Sequence, residues 1–321
     1  MEQVSKEHYC RIWQDLLESA DIKYHIVKHL GDRKPLIERM LKYIAGRSGL
    51  KVLEVGCGTA IDSYSLASSV PGISICAMDY SQESLSLAKK IGAHFPSGIK
   101  LLLSDALSVA FKDEVFDIVF SQGLIEHFSD PTAIIREQMR VLKKDGLLII
   151  DVPQKHNPYT LFKHRSISKG QWPWGWETEY SYSELKKLGN RLGLVPVDKC
   201  GHGHSIFFGL IYRRLFPHGI SMSAYIANRA PLNKLKQFLD WLTFSLERRW
   251  GHLYMQSVAV TFRKREPLPL GNVEVCMISG SFHPLHCGIA DYTFLLSRAL
   301  IKKNTSLPRS ATGNALTRGS A

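Results

Sequence analysis

Hydrophobic positions along the first 150 residues alternate between two periods. Apolar residues recur at helical spacing over 10–30 and 33–46, with Pro35 near the start of the second segment, and predict an N-terminal helical cap. Short apolar runs rich in β-branched residues then alternate with helical segments. This alternation predicts an α/β fold, with a parallel sheet covered on both faces. The predicted strands cover residues 51–55, 73–79, 99–105, 116–122 and 146–152, and the predicted helices between them cover 61–69, 81–93 and 130–144.

The pattern changes after the fifth predicted strand. Residues 153–180 are rich in Pro, Gly and Trp, and predict a long loop at the carboxyl end of a strand, where open α/β sheets bind ligands. A helix is predicted over 180–194, and added helices over 205–216 and 231–250 precede a final strand at 255–265. The sheet is therefore expected to carry a helical insert before its last strand.

A linker marked by Pro267 and Pro269 separates this body from the C-terminal residues. Beyond it, the pattern predicts a new strand at 273–279, a Gly/Pro loop, a helix at 289–303 and a tail with few large apolar residues. The predicted domains are a helical cap at 1–48, a body at 49–265 with a basic helical insert at 200–254, a strand–helix fragment at 266–304 and a disordered tail at 305–321.

Composition defines the broad class of the protein. The 321 residues are 45% hydrophobic and 22% charged, which is typical of a globular protein and excludes collagen-like and low-complexity chains. No apolar run approaches the roughly 18 residues of a membrane helix, and no apolar secretory segment is visible at the N-terminus. The six cysteines lack CxxC spacing, so we expect no metal site and no disulfide framework. A soluble, cytoplasmic protein is expected.

The positive charge of the chain is concentrated in one segment. The net charge is +12, and residues 200–265 alone carry ten Lys and Arg against two Asp and Glu. A local basic segment favours a local anionic partner over general nucleic-acid binding. Two interpretations stay open: contact with an anionic membrane surface or a phosphorylated, lipid-linked acceptor, or a pair of lid helices whose arginines are solvated.

A glycine-rich turn, LEVGCGTA at 53–60, follows the first predicted strand and opens a helix. Gly56 and Gly58 allow a ligand close to the backbone, and the helix start offers free N–H donors. A dinucleotide fingerprint would need a third glycine where Ile61 stands, and Glu54 is a poor neighbour for a pyrophosphate. These residues favour an uncharged or cationic ligand, with an NAD(P)-dependent oxidoreductase as the alternative.

Two further carboxylates end predicted strands. Asp79 ends the second strand, 21 residues after Gly58, at a position where a carboxylate accepts hydrogen bonds from ribose hydroxyls. Asp105 ends the third strand, where it can accept a hydrogen bond from an adenine amine. Because the carboxyl ends of parallel strands share one edge of a sheet, the three acidic positions predict a nucleoside site.

Five motifs in order, LEVGCGT, MDYS, SDAL, FDIVFSQGLIEHFSDP and LKKDGLLIIDVP, resemble the class I S-adenosylmethionine-dependent methyltransferases, in particular the ubiquinone-pathway O-methyltransferases. The resemblance covers roughly residues 40–200. It implies a Rossmann-like sheet, S-adenosylmethionine as cofactor and methyl transfer to a small molecule. It also implies binding roles: Glu54, Gly56, Cys57 and Gly58 for methionine, Asp79 for ribose, Tyr80, Asp105 and Ala106 for adenine, and Gln122 beneath the sulfonium.

Glu126 and His127 are the candidate catalytic residues, because a hydroxyl acceptor must lose a proton and His titrates near neutral pH. An EH pair on the surface of a helix is the alternative interpretation. The chain departs from the ubiquinone-type enzymes at Gly123, where those enzymes carry a further carboxylate. This difference argues against metal use and against a quinol acceptor.

Aromatic residues after the fifth strand suit a sugar ring or an aromatic acceptor, although they could equally fold onto their own small core. They are Trp172, Trp174, Trp176, Tyr180 and Tyr182. Residues 273–303 resemble the first strand, loop and helix of a two-Rossmann-domain glycosyltransferase. That resemblance implies a saccharide or lipid-linked acceptor in glycan biosynthesis. A non-catalytic partner of a glycosyltransferase is the second alternative.

Overall fold

The computed structural model describes residues 6–19, 21–172, 177–203 and 249–265. All of them lie in one compact unit, Met1–Pro267. Several predictions lie outside the described residues: most of the basic insert, the strand–helix fragment, the tail, and the tryptophans at positions 174 and 176. In the part of the chain that is described, no helix has the length and apolarity to span a bilayer.

The described residues form a mixed seven-stranded sheet in the order β3-β2-β1-β4-β5-β7-β6. Strands β1 to β5 are parallel, whereas β7 pairs antiparallel with both β5 and β6. The dinucleotide-binding order 3-2-1-4-5-6 has no such antiparallel strand. The predicted α/β class is therefore confirmed. The strands are β1 Lys51–Val55, β2 Ser74–Asp79, β3 Lys100–Leu103, β4 Phe116–Gln122, β5 Leu142–Pro153, β6 Leu194–His202 and β7 Ser257–Lys264.

Helices cover both faces of the sheet because successive side chains of each strand point to opposite faces. Val52 and Phe120 lie in the cluster where α2 contributes Met40. Leu53 lies in the cluster of the other face, with Ile135 of α5. The helices are α1 Lys6–Ser19, α2 Ile22–Ile44, α3 Ile61–Ser69, α4 Gln82–Gly92, α5 Thr132–Val141, α6 Pro158–Ser168 and α7 Tyr182–Arg191.

The predicted break between the N-terminal helices is wrong by about a dozen residues. Helix α2 runs through Pro35, and the break lies before Asp21, whose carboxylate accepts a hydrogen bond from the Tyr24 N–H and caps the helix. A proline inside a helix costs about 3 kcal/mol. Burial of the apolar face beyond it, including Leu36 and Met40, offsets this cost.

The predicted loop at 153–180 contains helix α6, and strand β6 was not predicted. Helix α6 lacks a clear apolar period, and it buries a charged residue, Lys163. Strand β6 lies at the edge of the sheet, where Pro196 and the neighbouring polar residues are tolerated. The helix predicted over 130–144 ends at Val141, because β5 begins at Leu142.

Candidate cofactor and acceptor site

A cavity of about 580 Å³ opens at the carboxyl ends of β1, β2, β4 and β5. Ligands of open α/β sheets bind at this edge. All eleven site residues predicted from the sequence line the cavity: Glu54, Gly56, Cys57, Gly58, Asp79, Tyr80, Asp105, Ala106, Gln122, Glu126 and His127. The structure thus brings them together at one place, and their individual roles remain predictions.

The glycine-rich turn closes the end of β1. Gly56 and Gly58 have φ of +70° and +49°, a region that favours glycine. A Cβ on Gly58 would lie 2.8 Å from the ring of Trp13, and a Cβ on Gly56 would lie 2.9 Å from the side chain of Leu124. Both positions therefore need glycine for space as well as for backbone conformation.

Asp79 connects this turn to the end of β2. One carboxylate oxygen accepts a hydrogen bond from the Gly58 N–H at 2.8 Å, and the other accepts from the Ser81 N–H at 3.0 Å. Burial raises the pKa of Asp79, although these hydrogen bonds favour its charged form. Asp105 lies at a neighbouring turn and accepts a hydrogen bond from the Leu107 N–H at 2.9 Å.

Glu54 lies buried at the floor of the cavity. It accepts a hydrogen bond of 2.5 Å from the Ser63 hydroxyl at the start of α3. Burial and the charge of nearby Asp62 raise the pKa of Glu54 well above its usual value. A buried carboxylate of this kind is costly without a cation beside it.

Arg33 of α2 is such a cation, and it was not among the site residues predicted from the sequence. Its guanidinium donates to Asp151 at 3.0 Å and to the side-chain oxygen of Gln122, and lies 3.9 Å from Asp62. Nothing in the pattern of an amphipathic helix distinguishes an arginine that faces a ligand cavity from one that faces solvent.

Asp62 and Asp151 were also missed. Burial would raise the pKa of Asp62, but the charge and hydrogen bond of His29 and the charge of Arg33 outweigh it and lower the pKa to about 2. Asp151 accepts a hydrogen bond at 2.8 Å from His202 of β6. The sequence carried a signal for Asp151, since this carboxylate directly follows the apolar residues 147–150 near the end of β5.

The charge of the cavity wall favours cationic ligands over those that contain a pyrophosphate. The described residues that line it include seven carboxylates and, among lysines and arginines, Arg33. An acidic wall attracts a cation and repels a pyrophosphate. This charge distribution fits a sulfonium compound and argues against the NAD(P) alternative.

Another part of the cavity wall is built around a 3₁₀ turn, Ile125–His127. Glu126 is 2% exposed, and its Oε2 atom has no hydrogen-bond partner among the described residues. Burial and the nearby charge of Glu177 raise its pKa well above the usual value. Nδ1 of His127 lies 2.9 Å from the Tyr9 hydroxyl of α1.

A buried ion cluster supports this part of the wall. Lys163 of α6 contacts Glu177 at 2.8 Å and Glu179 at 2.5 Å. The Trp172 indole N–H donates to Glu177 at 3.0 Å, and Trp172 lines the cavity. Tyr180, expected at the acceptor site, packs instead against the hydrophobic core.

Tyr182 also packs away from the cavity. Its ring lies edge-on to His252 and beneath the ammonium group of Lys199. Of the five aromatic residues predicted to meet the acceptor, the structure places Trp172 on the cavity wall and uses Tyr180 and Tyr182 for packing.

Comparisons with known proteins identify the central part of the chain. A family model described as a methyltransferase domain matches residues 53–150, from β1 to β5, a range that contains all eleven predicted site residues. The protein carries a methyltransferase domain. The methyl donor of this domain is S-adenosylmethionine, and the acidic edge of the cavity is compatible with its positively charged sulfur.

Two relatives extend the comparison beyond this methyltransferase domain. A demethylmenaquinone methyltransferase of Staphylococcus aureus is 26% identical over 212 residues, covering 60% of this chain and 87% of its own. A chain from a Haloferax volcanii complex of the Trm112 methyltransferase activator with a presumed methyltransferase is 16% identical, with a TM-score of 0.53, and the match covers 79% of this chain and 98% of that one. The second comparison supports the Rossmann-like methyltransferase fold alone.

Proposed function

We propose that the protein methylates a hydroxyl group of a small saccharide or lipid-linked acceptor in glycan biosynthesis, and that it acts in the cytoplasm. The observation that carries the proposal is the buried Glu126 carboxyl group at the acceptor end of the cavity, with Oε2 unpartnered among the described residues. Buried polar atoms in proteins nearly always have a hydrogen-bond partner. An acceptor hydroxyl supplies the missing donor.

The cofactor end divides into parts that match the donor molecule. Asp79 binds the ribose hydroxyls, and Tyr80, Asp105 and Ala106 surround the adenine. Glu54, Gly56, Cys57 and Gly58 hold the methionine portion, and Gln122 lies beneath the sulfur. Arg33 is the cation best placed among the described residues for the methionine carboxylate, because its guanidinium lies beside Gln122.

Methyl transfer requires little covalent chemistry from the protein. When bound, S-adenosylmethionine supplies a methyl group on a positively charged sulfur, which keeps the bonding electron pair as the methyl group leaves. The residues of this chain align the acceptor and exclude water. A hydroxyl acceptor loses its proton as its oxygen forms the new bond, and the ionised carboxylate of Glu126 accepts that proton. A carboxyl group whose pKa is raised by burial is a stronger base than an exposed one, which suits a general base.

The acceptor class is inferred from three features. Trp172 offers an aromatic surface on the cavity wall, which suits a sugar ring. The basic segment 200–265 suits the phosphate of a lipid-linked saccharide at a membrane surface. The glycosyltransferase-like pattern at 266–304 places the enzyme, in this proposal, beside a glycosyltransferase.

A quinol acceptor competes with this proposal, since the Staphylococcus aureus relative is a demethylmenaquinone methyltransferase. The two are separated by supplying labelled S-adenosylmethionine with free saccharides, lipid-linked saccharides or quinols. We expect label in an ether of a saccharide fraction, and Glu126→Gln should slow its formation about a hundredfold. Label in the quinol fraction would refute the saccharide assignment. Binding of S-adenosylhomocysteine without transfer to any fraction would favour a non-catalytic partner of a glycosyltransferase.

A further inference from the structure

Tyr9 and His127 form a contact between the N-terminal helix α1 and the acceptor end of the cavity. The Tyr9 hydroxyl and Nδ1 of His127 are 2.9 Å apart, and the ring centroids are 5.2 Å apart at 66°. Both residues line the cavity. They are 118 positions apart in sequence, so no local pattern connects them.

A second contact fixes the position of Tyr9. Trp13 lies one helical turn further along α1, on the same face, and its ring packs over Gly58 of the glycine-rich turn. Helix α1 is thereby held against the cofactor edge through Trp13 while it reaches His127 through Tyr9.

The chemistry of the two groups favours one direction for their hydrogen bond. A phenol is a stronger proton donor than an imidazole N–H, and an imidazole nitrogen is a stronger acceptor than a phenol oxygen. Burial and the charges of Glu177 and Glu126 raise the pKa of Tyr9, so the phenol keeps its proton. A phenol that donates to Nδ1 leaves the proton of a neutral imidazole on Nε2.

We propose that Tyr9 is a positioning residue that holds neutral His127 in its Nε2–H tautomer, so that His127 donates a hydrogen bond to the acceptor instead of removing its proton. The two candidate catalytic residues then have different tasks. His127 orients the acceptor oxygen through Nε2–H, and Glu126 accepts the proton. This division of tasks rests on the proposed function, whereas the tautomer itself does not.

The tautomer is measured directly by ¹⁵N NMR of the histidine side chains in the full-length protein at neutral pH. The His127 signals are assigned by their loss in His127→Asn. We expect a protonated Nε2 and an unprotonated Nδ1 in the native protein, and a mixture of both tautomers in Tyr9→Phe. Tyr24→Phe is the matched control, because Tyr24 is 66% exposed on α2. A proton on Nδ1 in the native protein, or an unchanged ratio in Tyr9→Phe, would overturn the inference.

Activity tests the donor role separately. Glutamine at position 127 can place an amide N–H near the site of Nε2, whereas asparagine places its polar atoms near Nδ1. We expect His127→Gln to retain about tenfold more methyl transfer than His127→Asn, which corresponds to the free energy of one hydrogen bond. Equal loss in both variants would contradict the donor role. A native protein without methyl transfer would refute the proposed function and leave the NMR result standing.

Discussion

Asp79 occupies the position at which the cofactor edge is most sensitive to a single side chain. Its two oxygens hold the Gly58 and Ser81 amides, and the carboxylate faces the cavity. Asp79→Asn keeps the shape of the side chain but removes its charge and one of its two hydrogen-bond acceptor atoms. We expect weaker binding of S-adenosylhomocysteine by about 1–3 kcal/mol, the cost of an unpaired buried polar group, measured by calorimetric titration.

Asp117→Asn provides the control for this substitution. Asp117 also accepts a hydrogen bond from a backbone amide, that of Lys51, but it does not line the cavity. Equal losses of affinity in the two variants would show that Asp79 acts through the backbone and not through the ribose.

Glu126 leads to a second prediction, that the rate of methyl transfer rises with pH. Its raised pKa means that the group is protonated at acidic pH, where it cannot accept a proton from the acceptor. We expect the native rate to rise as Glu126 ionises. Glu126→Gln should lower kcat about a hundredfold and abolish this rise. An unchanged pH profile in the variant would exclude Glu126 as the base.

The same substitution should stabilise the protein. Between the ordinary glutamate pKa of 4.5 and the higher folded value, the unfolded chain loses this proton and the folded chain keeps it, so stability falls as pH rises. Glu126→Gln removes this pH-dependent loss of stability. Urea unfolding should therefore show a gain in the free energy of unfolding that is larger at pH 8 than at pH 5. Glu38→Gln, at an exposed position on α2, should show no such pH-dependent gain.

The sequence was sufficient to locate the strand-end carboxylates, because Asp79 and Asp105 follow runs whose strand character is unambiguous. It did not locate Tyr9 or Arg33. Both belong to helices whose pattern records which face is buried, and a ligand cavity and a hydrophobic core produce the same pattern. The burial of Lys163 could not be predicted either, because its partners Glu177 and Glu179 are identified only by the three-dimensional structure.

At the scale of elements, the buried parallel strands were predictable and the sheet edge was not. Strands β1, β2 and β4 and the Leu147–Ile150 part of β5 contain short buried apolar runs, whereas β6 mixes Pro196 with polar residues and forms the edge of the sheet. Helix α2 was predicted with a break before Pro35, because proline is favoured in the first turn of a helix and so indicates a helix start. Burial of its apolar face is a tertiary effect that overrides this signal.

Helix α1 packs on the glycine-rich turn, and a substitution in that turn should therefore disturb the helix. Gly58→Ala would place a methyl group 2.8 Å from the Trp13 ring, in a backbone conformation that disfavours alanine. We expect displacement of α1 and about tenfold weaker S-adenosylhomocysteine binding. Gly72→Ala is the control, with φ of +79° and open space around the added atom.

A double-mutant cycle separates strain from contact. In a Trp13→Ala background the added methyl group has room, so Gly58→Ala should cost less affinity than it does in the native protein. Additive effects in this cycle would show that Trp13 and Gly58 act independently, and that the strained turn alone explains the loss.

At the scale of the whole molecule, one partly buried charge network joins α2, α3, β5 and β6. Arg33 lies at its centre, between Asp62 and Asp151, and His29 and His202 complete it. Removing one member of a buried ion pair leaves the other charge uncompensated. We expect Arg33→Met to lower the free energy of unfolding by about 3 kcal/mol in urea.

The neighbouring residue offers a matched control. Lys34 is exposed and lies 3.9 Å from exposed Glu38, so Lys34→Met should cost about 0.5 kcal/mol or less. Similar costs for the two variants would mean that the network contributes no more than a surface ion pair.

The central claim is that the acidic edge of the sheet binds S-adenosylmethionine. Its most direct test is calorimetric titration of the purified protein with S-adenosylhomocysteine, with NAD as the control ligand. We predict saturable binding of S-adenosylhomocysteine and no binding of NAD, because seven carboxylates and Arg33 line the cavity. Binding of NAD, or of neither ligand, would contradict the account.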